Sequence, residues 1–385
     1  MGARWRYAGV ALVGLTPALV PDRRVTLVHD YLLVMRGAER TFAALADLYP
    51  DAPIFTLLYD EAGIGARFAG RAIHTSPLQR LGVGQRGFRR LLPLYPWAVR
   101  ELELPPSDVV LSSSSAFAHG VRVPPEAVHV CYCHAPFRYA WNEQARALAE
   151  VPRAVRPLLR RRLDAIRTWD LSASRGVDSY LANSQLTRER IKRFYGREST
   201  VVHPPVETER FAPGTPGDTL LVVTELVPHK RVSVALEAAR RTHAPIQVVG
   251  TGPDYANLRT AYPEANFLGR VTDSELARLY SSARAVVVTT VEEFGITAVE
   301  AQAAGRPVIA AAAGGVLETV LDGRTGLFAP VGDVDGFARA MKEIDKLPFD
   351  PAEAVQNAAR FSVASFQRRI ADHLELATEQ RPVAI

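Results

Sequence analysis

The chain has only two cysteines, Cys131 and Cys133, one residue apart in a strand-like run. That spacing suits neither a disulfide framework nor a four-ligand zinc site, so both read as buried free thiols. Long apolar runs are also missing. The nearest, Ala8 to Val20 behind Arg4 and Arg6, is too short to span a bilayer, contains Pro17 and precedes no small-residue cleavage site. Residues 1–23 therefore read as a disordered extension or the product of an early start codon, with an uncleaved membrane-touching segment as the alternative. No repeat of short fixed period occurs, which excludes solenoids and propellers. A Walker phosphate loop is absent. Gly250 and Gly252 in "VVGTGPDY" follow a strand, but Tyr255 stands where a third glycine would be needed and no acidic ribose ligand follows, which argues against a nicotinamide or flavin cofactor.

What is present is ordinary for a globular chain: 48% hydrophobic and 23% charged residues exclude a disordered or fibrous protein. At 385 residues two domains are the expectation. A net charge of +5 suits three anionic partners: nucleic acid, a membrane surface or a phosphorylated small molecule.

Short β-rich runs alternate with helical stretches, the pattern of a parallel sheet covered by helices. The strand candidates of the first half are "VTLVHD", "PIFTLLY", "DVVLSS", "VHVCYCH" and "SYLANS". After the Pro-rich "VVHPPVETERFAPGTPGD", read as a linker, the alternation restarts with "LLVVTEL", "IQVVG", "NFLG", "AVVVTT", "PVIAA" and "GLFAP". This predicts two α/β domains, 24–205 and 206–360, with a closing helix in 361–385. Ligands of such sheets bind at the carboxyl ends of the strands.

The stretch "VTTVEEFGITAVEAQAAGRPVIA" places Glu292 and Glu300 around a turn at Gly295. Glu300 has a local explanation: Thr297 to Glu300 fits a capping box for a helix from about Ala298 to Ala304, stopped by Gly305. Glu292 has none. A carboxylate in a strand-to-helix turn would repel phosphate, but it accepts two O–H groups of a vicinal diol, so hydroxyl recognition is the chemistry suggested.

This stretch, with "HDYLLVMRGAER", "VCYCHAPFRYAWN", "YLANSQLTRERIKRFYG", "VVHPPVETERF" and "LVPHKRV", closely resembles retaining glycosyltransferase family 4. The resemblance implies the GT-B fold, two Rossmann-like α/β domains facing each other across a cleft. It implies that Glu292 contacts the transferred sugar beside the backbone of Phe294, Gly295 and Ile296. Glu300 would hold the nucleotide ribose, Lys230 the donor diphosphate, and His134 would line the sugar site. Gly37, with Ala38 and Glu39, matches the turn of the first strand and helix whose backbone approaches the donor phosphate. Gly314 and Gly315 form a second turn, which either packs or meets ligand. Domain closure would assemble Glu292, Lys230 and His134 around one sugar.

Two positions depart from the family pattern. Glu225 stands where many relatives have arginine, and Arg36 replaces the first glycine of the Gly37 turn. A carboxylate ~5 Å from a phosphate at an effective dielectric of ~20 would cost about 3 kcal/mol, so Glu225 should point away and Arg231 is the candidate for the missing positive charge. Arg36 either reaches the phosphate or covers the turn.

Retention of configuration without a carboxylate nucleophile, and transfer without a metal or other cofactor, follow from the resemblance together with the lack of an Asp-x-Asp pair suited to hold Mg²⁺. GDP-mannose is the donor suggested by "YCHAPFRYAW", and the acceptor would be a glycan or lipid-linked glycan of the cell envelope. Residues 85–101, "QRGFRRLLPLYPWAVRE", and eight arginines against three acids between Arg146 and Arg175 suit peripheral contact with an anionic membrane at its cytoplasmic face. The other reading of both stretches is a solvated helical face over core aromatics. No nucleic-acid-binding motif occurs. A non-catalytic sugar-nucleotide-binding or scaffold protein is the competing reading, and a GT-B epimerase a third.

Overall fold

The computed structural model describes residues 23–85 and 87–379; residues 1–22 of the N-terminal extension lie outside them, as does Arg86. The chain forms two compact units. Among the described residues the first contains 23–183, Thr187–Val202 and 367–379; the second contains Ser184–Leu186 and His203–Phe366.

The first unit is built on β1 (Val25–Leu32), β2 (Ile54–Tyr59), β3 (Ile73–Thr75), β4 (Val109–Ser114), β5 (Val128–Cys133), β6 (Ser179–Ala182) and β7 (Thr200–Val201). All pair in parallel, in the order β3-β2-β1-β4-β5-β6-β7. The second unit has β8 (Leu220–Val223), β9 (Ile246–Val249), β10 (Asn266–Gly269), β11 (Ala285–Val288), β12 (Val308–Ala311) and β13 (Gly326–Ala329), again all parallel, in the order β10-β9-β8-β11-β12-β13. Two doubly wound α/β units are thus present, as the alternating pattern predicts. In each the strand order reverses once, between β1 and β4 and between β8 and β11, and a crevice opens there at the carboxyl edge.

β8, β11 and β12 read as continuous apolar runs because both sheet faces are covered there. β11 shows this most directly: Ala285 and Val287 pack with Leu220, Val222, Val248 and Ile309 on one face, and Val286 and Val288 with Leu221, Val308 and Ala310 on the other. Alternate residues of a strand point to opposite faces, so a strand covered on both faces buries every position, and in β11 all four are apolar. Cys131 and Cys133 lie buried as free thiols in the first unit, next to Tyr180 and Ile191.

One segment departs from its reading. The Pro-rich stretch after β7 is no free linker, since Val206 and Phe211 are buried in the core of the second unit and Val206 bridges to Ser362. Its prolines and glycines obscured two apolar anchors. The closing helix, Val363–Glu379, bonds within the first unit through Gln367 to the Ala44 carbonyl, Arg369 to the Val201 carbonyl and His373 to Ser179.

Candidate functional site

In the second unit the crevice between β8 and β11 holds the residues singled out in the sequence. β8 ends at Val223 and leads into a 3-10 turn, Pro228–Lys230, followed by the helix Val232–Thr242. Arg231 joins the two with φ 52°, a left-handed conformation that a non-glycine residue rarely adopts. Such strain persists only where the surroundings impose it, and it concentrates at functional sites. Thr289, just past β11, donates its hydroxyl to the Lys230 carbonyl at 2.8 Å and so ties the turn to the neighbouring strand end. Lys230 then forms an ion pair and hydrogen bond with Glu292. Both side chains are partly buried, 20% and 28% exposed, which leaves them reachable by a ligand. Arg231 and Glu225 are exposed.

Glu292 sits in a loop held by glycines. Gly315 N–H donates to the Glu292 carbonyl at 2.8 Å, and a Cβ on Gly315 would lie 2.2 Å from the Phe294 Cα. A Cβ on Gly314, which has φ 76°, would fall 2.4 Å from the Glu292 carbonyl oxygen. Of the two readings of this second turn, packing is what the structure displays: the glycines let two backbones touch and fix the Glu292 loop between them. Phe294 is buried, with its ring against those of His203 and Phe361.

The helix after this loop starts earlier than the capping-box reading places it. It runs Ile296–Ala303 with Gly295 as N-cap at φ 85°, and no side chain caps it. Thr297 lies inside the first turn and donates to the Val223 carbonyl at 3.5 Å. The capping box is therefore absent, because the left-handed Gly295 takes the N-cap place two residues before Thr297 and makes Glu300 the fifth residue of the helix instead of the third. Gly305 does close the segment with φ 66°. Glu300 instead accepts a 2.7 Å hydrogen bond from the hydroxyl of Tyr280, a wholly buried residue on the helix Asp273–Ser282. Tyr280 carries no local sequence signal. It reads as one more apolar position of an amphipathic helix.

The Asp-x-Asp spacing of Asp333 and Asp335 is accounted for locally: Asp333 caps the helix Val334–Glu343 and Asp335 pairs with Arg241. Among the described residues no group of three His, Cys, Asp or Glu side chains is placed to hold a metal ion.

In the first unit the corresponding crevice lies between β1 and β4. Gly37 opens the helix Gly37–Leu48 directly after the β1 loop, and the Arg36 N–H donates to the Glu39 carboxylate at 3.0 Å. Burial pushes the Glu39 carboxyl up to about 7. The Arg36 side chain is exposed. Asp30, near the end of β1, accepts backbone N–H groups of Phe117 at 2.8 Å and Ala118 at 2.6 Å, pinning the turn after β4. His134 follows β5 and accepts or donates at Nε2 to the Ser113 hydroxyl, 2.8 Å away. Burial, with Arg138 nearby, lowers its pKa to about 4, so the ring is neutral at pH 7. The sequence reading passed over Asp30 and Ser113. The one signal available was the polar run Ser112 to Ser115 at the end of an otherwise apolar strand.

His134 and Gly37 thus belong to the first unit, and Lys230, Arg231, Glu292, Phe294, Gly295, Ile296 and Glu300 to the second. Elsewhere on the first unit, Arg89, Arg90 and Arg100 are exposed near Leu94 and Trp97, and Arg153, Arg160, Arg161 and Arg162 near Val155 and Leu158. Among the described residues no helix is long and apolar enough to cross a membrane.

Comparison with known proteins adds three observations. Residues 35–210 match the family described as Glycosyltransferase Family 4, and residues 205–361 that described as Glycosyl transferases group 1. Similar sequences include a D-inositol 3-phosphate glycosyltransferase of Mycobacterium sp., 31% identical over 51% of this chain and 54% of the relative, so the match spans about half that relative's length. A GDP-mannose-dependent alpha-mannosyltransferase of Mycobacterium tuberculosis is 27% identical over 94% of this chain and 83% of the relative. Among solved structures, Anabaena HepE in complex with UDP superposes with a TM-score of 0.67 over 92% of this chain and 100% of that one, at 16% identity. Sucrose-phosphate synthase from Thermosynechococcus elongatus superposes with the same TM-score over 93% and 100%, at 17% identity.

Proposed function

Because the chain belongs to the family 4-like glycosyltransferases of the GT-B fold, we propose that it transfers a sugar from a nucleotide-sugar donor to a glycan or lipid-linked acceptor, with retention of anomeric configuration. The observation that carries this reading is the Lys230–Glu292 pair at the β8/β11 crevice. It sets a cation suited to a diphosphate beside a carboxylate suited to sugar hydroxyls. GDP-mannose is the proposed donor, supported by the mannosyltransferase that matches across most of both chains.

In this reading Lys230 and Arg231 neutralise the departing diphosphate, and the backbone N–H groups that open the helix Ile296–Ala303 add donors. Glu292 accepts hydroxyls of the transferred sugar, Glu300, held by Tyr280, accepts the ribose diol, and His134 bonds a sugar hydroxyl. The anomeric C–O bond to the diphosphate breaks while the acceptor oxygen bonds the same carbon on the same face, its proton passing to the leaving phosphate. The protein contributes placement and charge neutralisation, with no covalent intermediate.

A thermal-shift panel of UDP-, GDP- and ADP-sugars tests the donor, since a ligand of the native state alone raises apparent stability. GDP-mannose is expected to give the largest shift, and its slow hydrolysis without acceptor is expected to separate an enzyme from a binding or scaffold protein. Transfer should persist in a chelator; complete loss restored by Mn²⁺ or Mg²⁺ refutes the metal-free reading. The exposed arginines with Trp97 and Leu158 support a proposal of peripheral contact with the cytoplasmic face of an anionic membrane. Flotation with phosphatidylglycerol liposomes should recover more protein than neutral liposomes do, and equal recovery ends that proposal.

A further inference from the structure

His134 has two ring nitrogens, and only the surroundings decide which one carries the proton of the neutral ring. Three side chains converge at the β1/β4 crevice. His29 on β1 and Ser113 on β4 are register partners of adjacent parallel strands, and His134 lies two residues beyond Tyr132, the register partner of Ser113 on β5. The period of two puts His134 on the same sheet face as that partner. His29 is stacked on Phe42, with centroids 4.6 Å apart, which fixes its ring plane. Its Nδ1 lies 3.1 Å from the Ser113 carbonyl oxygen and 3.1 Å from the Ser113 hydroxyl oxygen, and that hydroxyl lies 2.8 Å from His134 Nε2.

The hydrogen-bonding inventory allows one satisfactory direction. A carbonyl oxygen only accepts, so His29 Nδ1 must carry its proton toward Ser113; a bare lone pair there would face another lone pair. The Ser113 hydroxyl oxygen shares that N–H as a second acceptor, which leaves its own proton for His134 Nε2. An Nε2 that accepts in a neutral ring requires the proton on Nδ1. Burial keeps His29 neutral as well, with a pKa near 3.

We infer that Ser113 is a positioning residue that fixes His134 as the Nδ1–H tautomer, so that His134 presents a hydrogen-bond donor to a sugar hydroxyl through Nδ1. This inference rests on the reading of His134 as a sugar ligand. Ser113 itself, wholly buried in a central strand, touches no substrate. Without its hydroxyl, the Nε2–H tautomer competes and the ring spends part of its time with an acceptor where a donor is needed.

The test is Ser113→Ala, a near-isosteric change in the protein as it stands. With ¹⁵N-labelled histidine, wild-type His134 should show the Nδ1–H pattern of shifts near neutral pH, and the variant a mixture or the Nε2–H form. Loss of a single charge-neutral hydrogen bond predicts a fall in kcat of roughly tenfold with KM changed by less than about twofold. Ser113→Ala added to His134→Ala should lower kcat no further, because the effect runs through the ring. A wild-type Nε2–H pattern, or an unchanged tautomer in Ser113→Ala, overturns the inference whatever the activity does. A tautomer that shifts with no change in kcat overturns instead the role given to His134. Unaltered thermal melting of Ser113→Ala, with Ser113→Cys as a second variant carrying a weak S–H donor, separates tautomer loss from unfolding.

Discussion

Replacing Glu292 by Gln is expected to lower sugar transfer by roughly 100- to 1,000-fold while tightening the binding of free nucleoside diphosphate by about three- to tenfold. The two opposite effects come from one contact. Without donor, Glu292 and Lys230 satisfy each other. A nucleotide sugar must exchange that pair: its diphosphate takes Lys230 and its hydroxyls take Glu292. Nucleoside diphosphate alone makes only the first half of the exchange and leaves the carboxylate competing with it. Glutamine removes the competition, because a neutral amide holds an ammonium weakly, and it also removes the charge-assisted O–H acceptor, each such bond being worth about 1.5–3 kcal/mol. Steady-state kinetics and calorimetric titration with the diphosphate measure the two arms. Wild-type turnover in Glu292→Gln removes the residue from the site, and unchanged diphosphate affinity denies the competition.

Lys230→Ala should weaken nucleotide binding by about 100-fold, the equivalent of the roughly 3 kcal/mol that one charge contributes to a phosphate ~5 Å away at an effective dielectric of ~20. Part of that loss is not a lost attraction. The variant strands Glu292 as an unpaired, partly buried carboxylate facing the incoming phosphates. The double variant Lys230→Ala/Glu292→Gln should therefore bind diphosphate several-fold better than Lys230→Ala, because glutamine also removes the repulsion between that carboxylate and the phosphates. Equal binding by Lys230→Ala and the double variant would show that Glu292 affects diphosphate binding only through Lys230 and exerts no repulsion of its own. Rising salt should weaken wild-type binding less than the exposed position of Arg231 alone would predict, since Lys230 is shielded from counterions by burial.

The sequence exposed the second unit more fully than the first, and for a physical reason. Every strand of the second sheet is a run of four residues with apolar side chains on both faces, and helices separate one run from the next. β3 and β7 were passed over. β3 is three residues at one sheet edge, with His74 exposed, and β7 is two residues running into the prolines that follow. Edge strands bury little, so their composition carries little signal. The residues of the crevice separate along the same line. Lys230, Glu292 and His134 stand in segments with local patterns. Ser113 and Tyr280 act through partners that are remote in sequence, Ser113 bonding His29 from 84 residues away and Tyr280 bonding Glu300 from 20. No window of sequence contains both ends of such a contact. Thr297 shows the reverse error: a local pattern fitting a cap was overridden by a glycine whose left-handed backbone the pattern does not encode.

The path of the chain through the two units bears on how the protein is made. The second unit consists almost entirely of one uninterrupted stretch, His203–Phe366, whereas the first is closed only by the residues from Gln367 onward. On a ribosome the second unit has its whole sheet as soon as that stretch emerges. The first, although begun earlier, waits with the Ala44 and Val201 carbonyls and Ser179 open until the final helix arrives to bond them. The half synthesised first is thus the half completed last, and a ribosome stalled before residue 367 would release a finished second unit joined to an unfinished first.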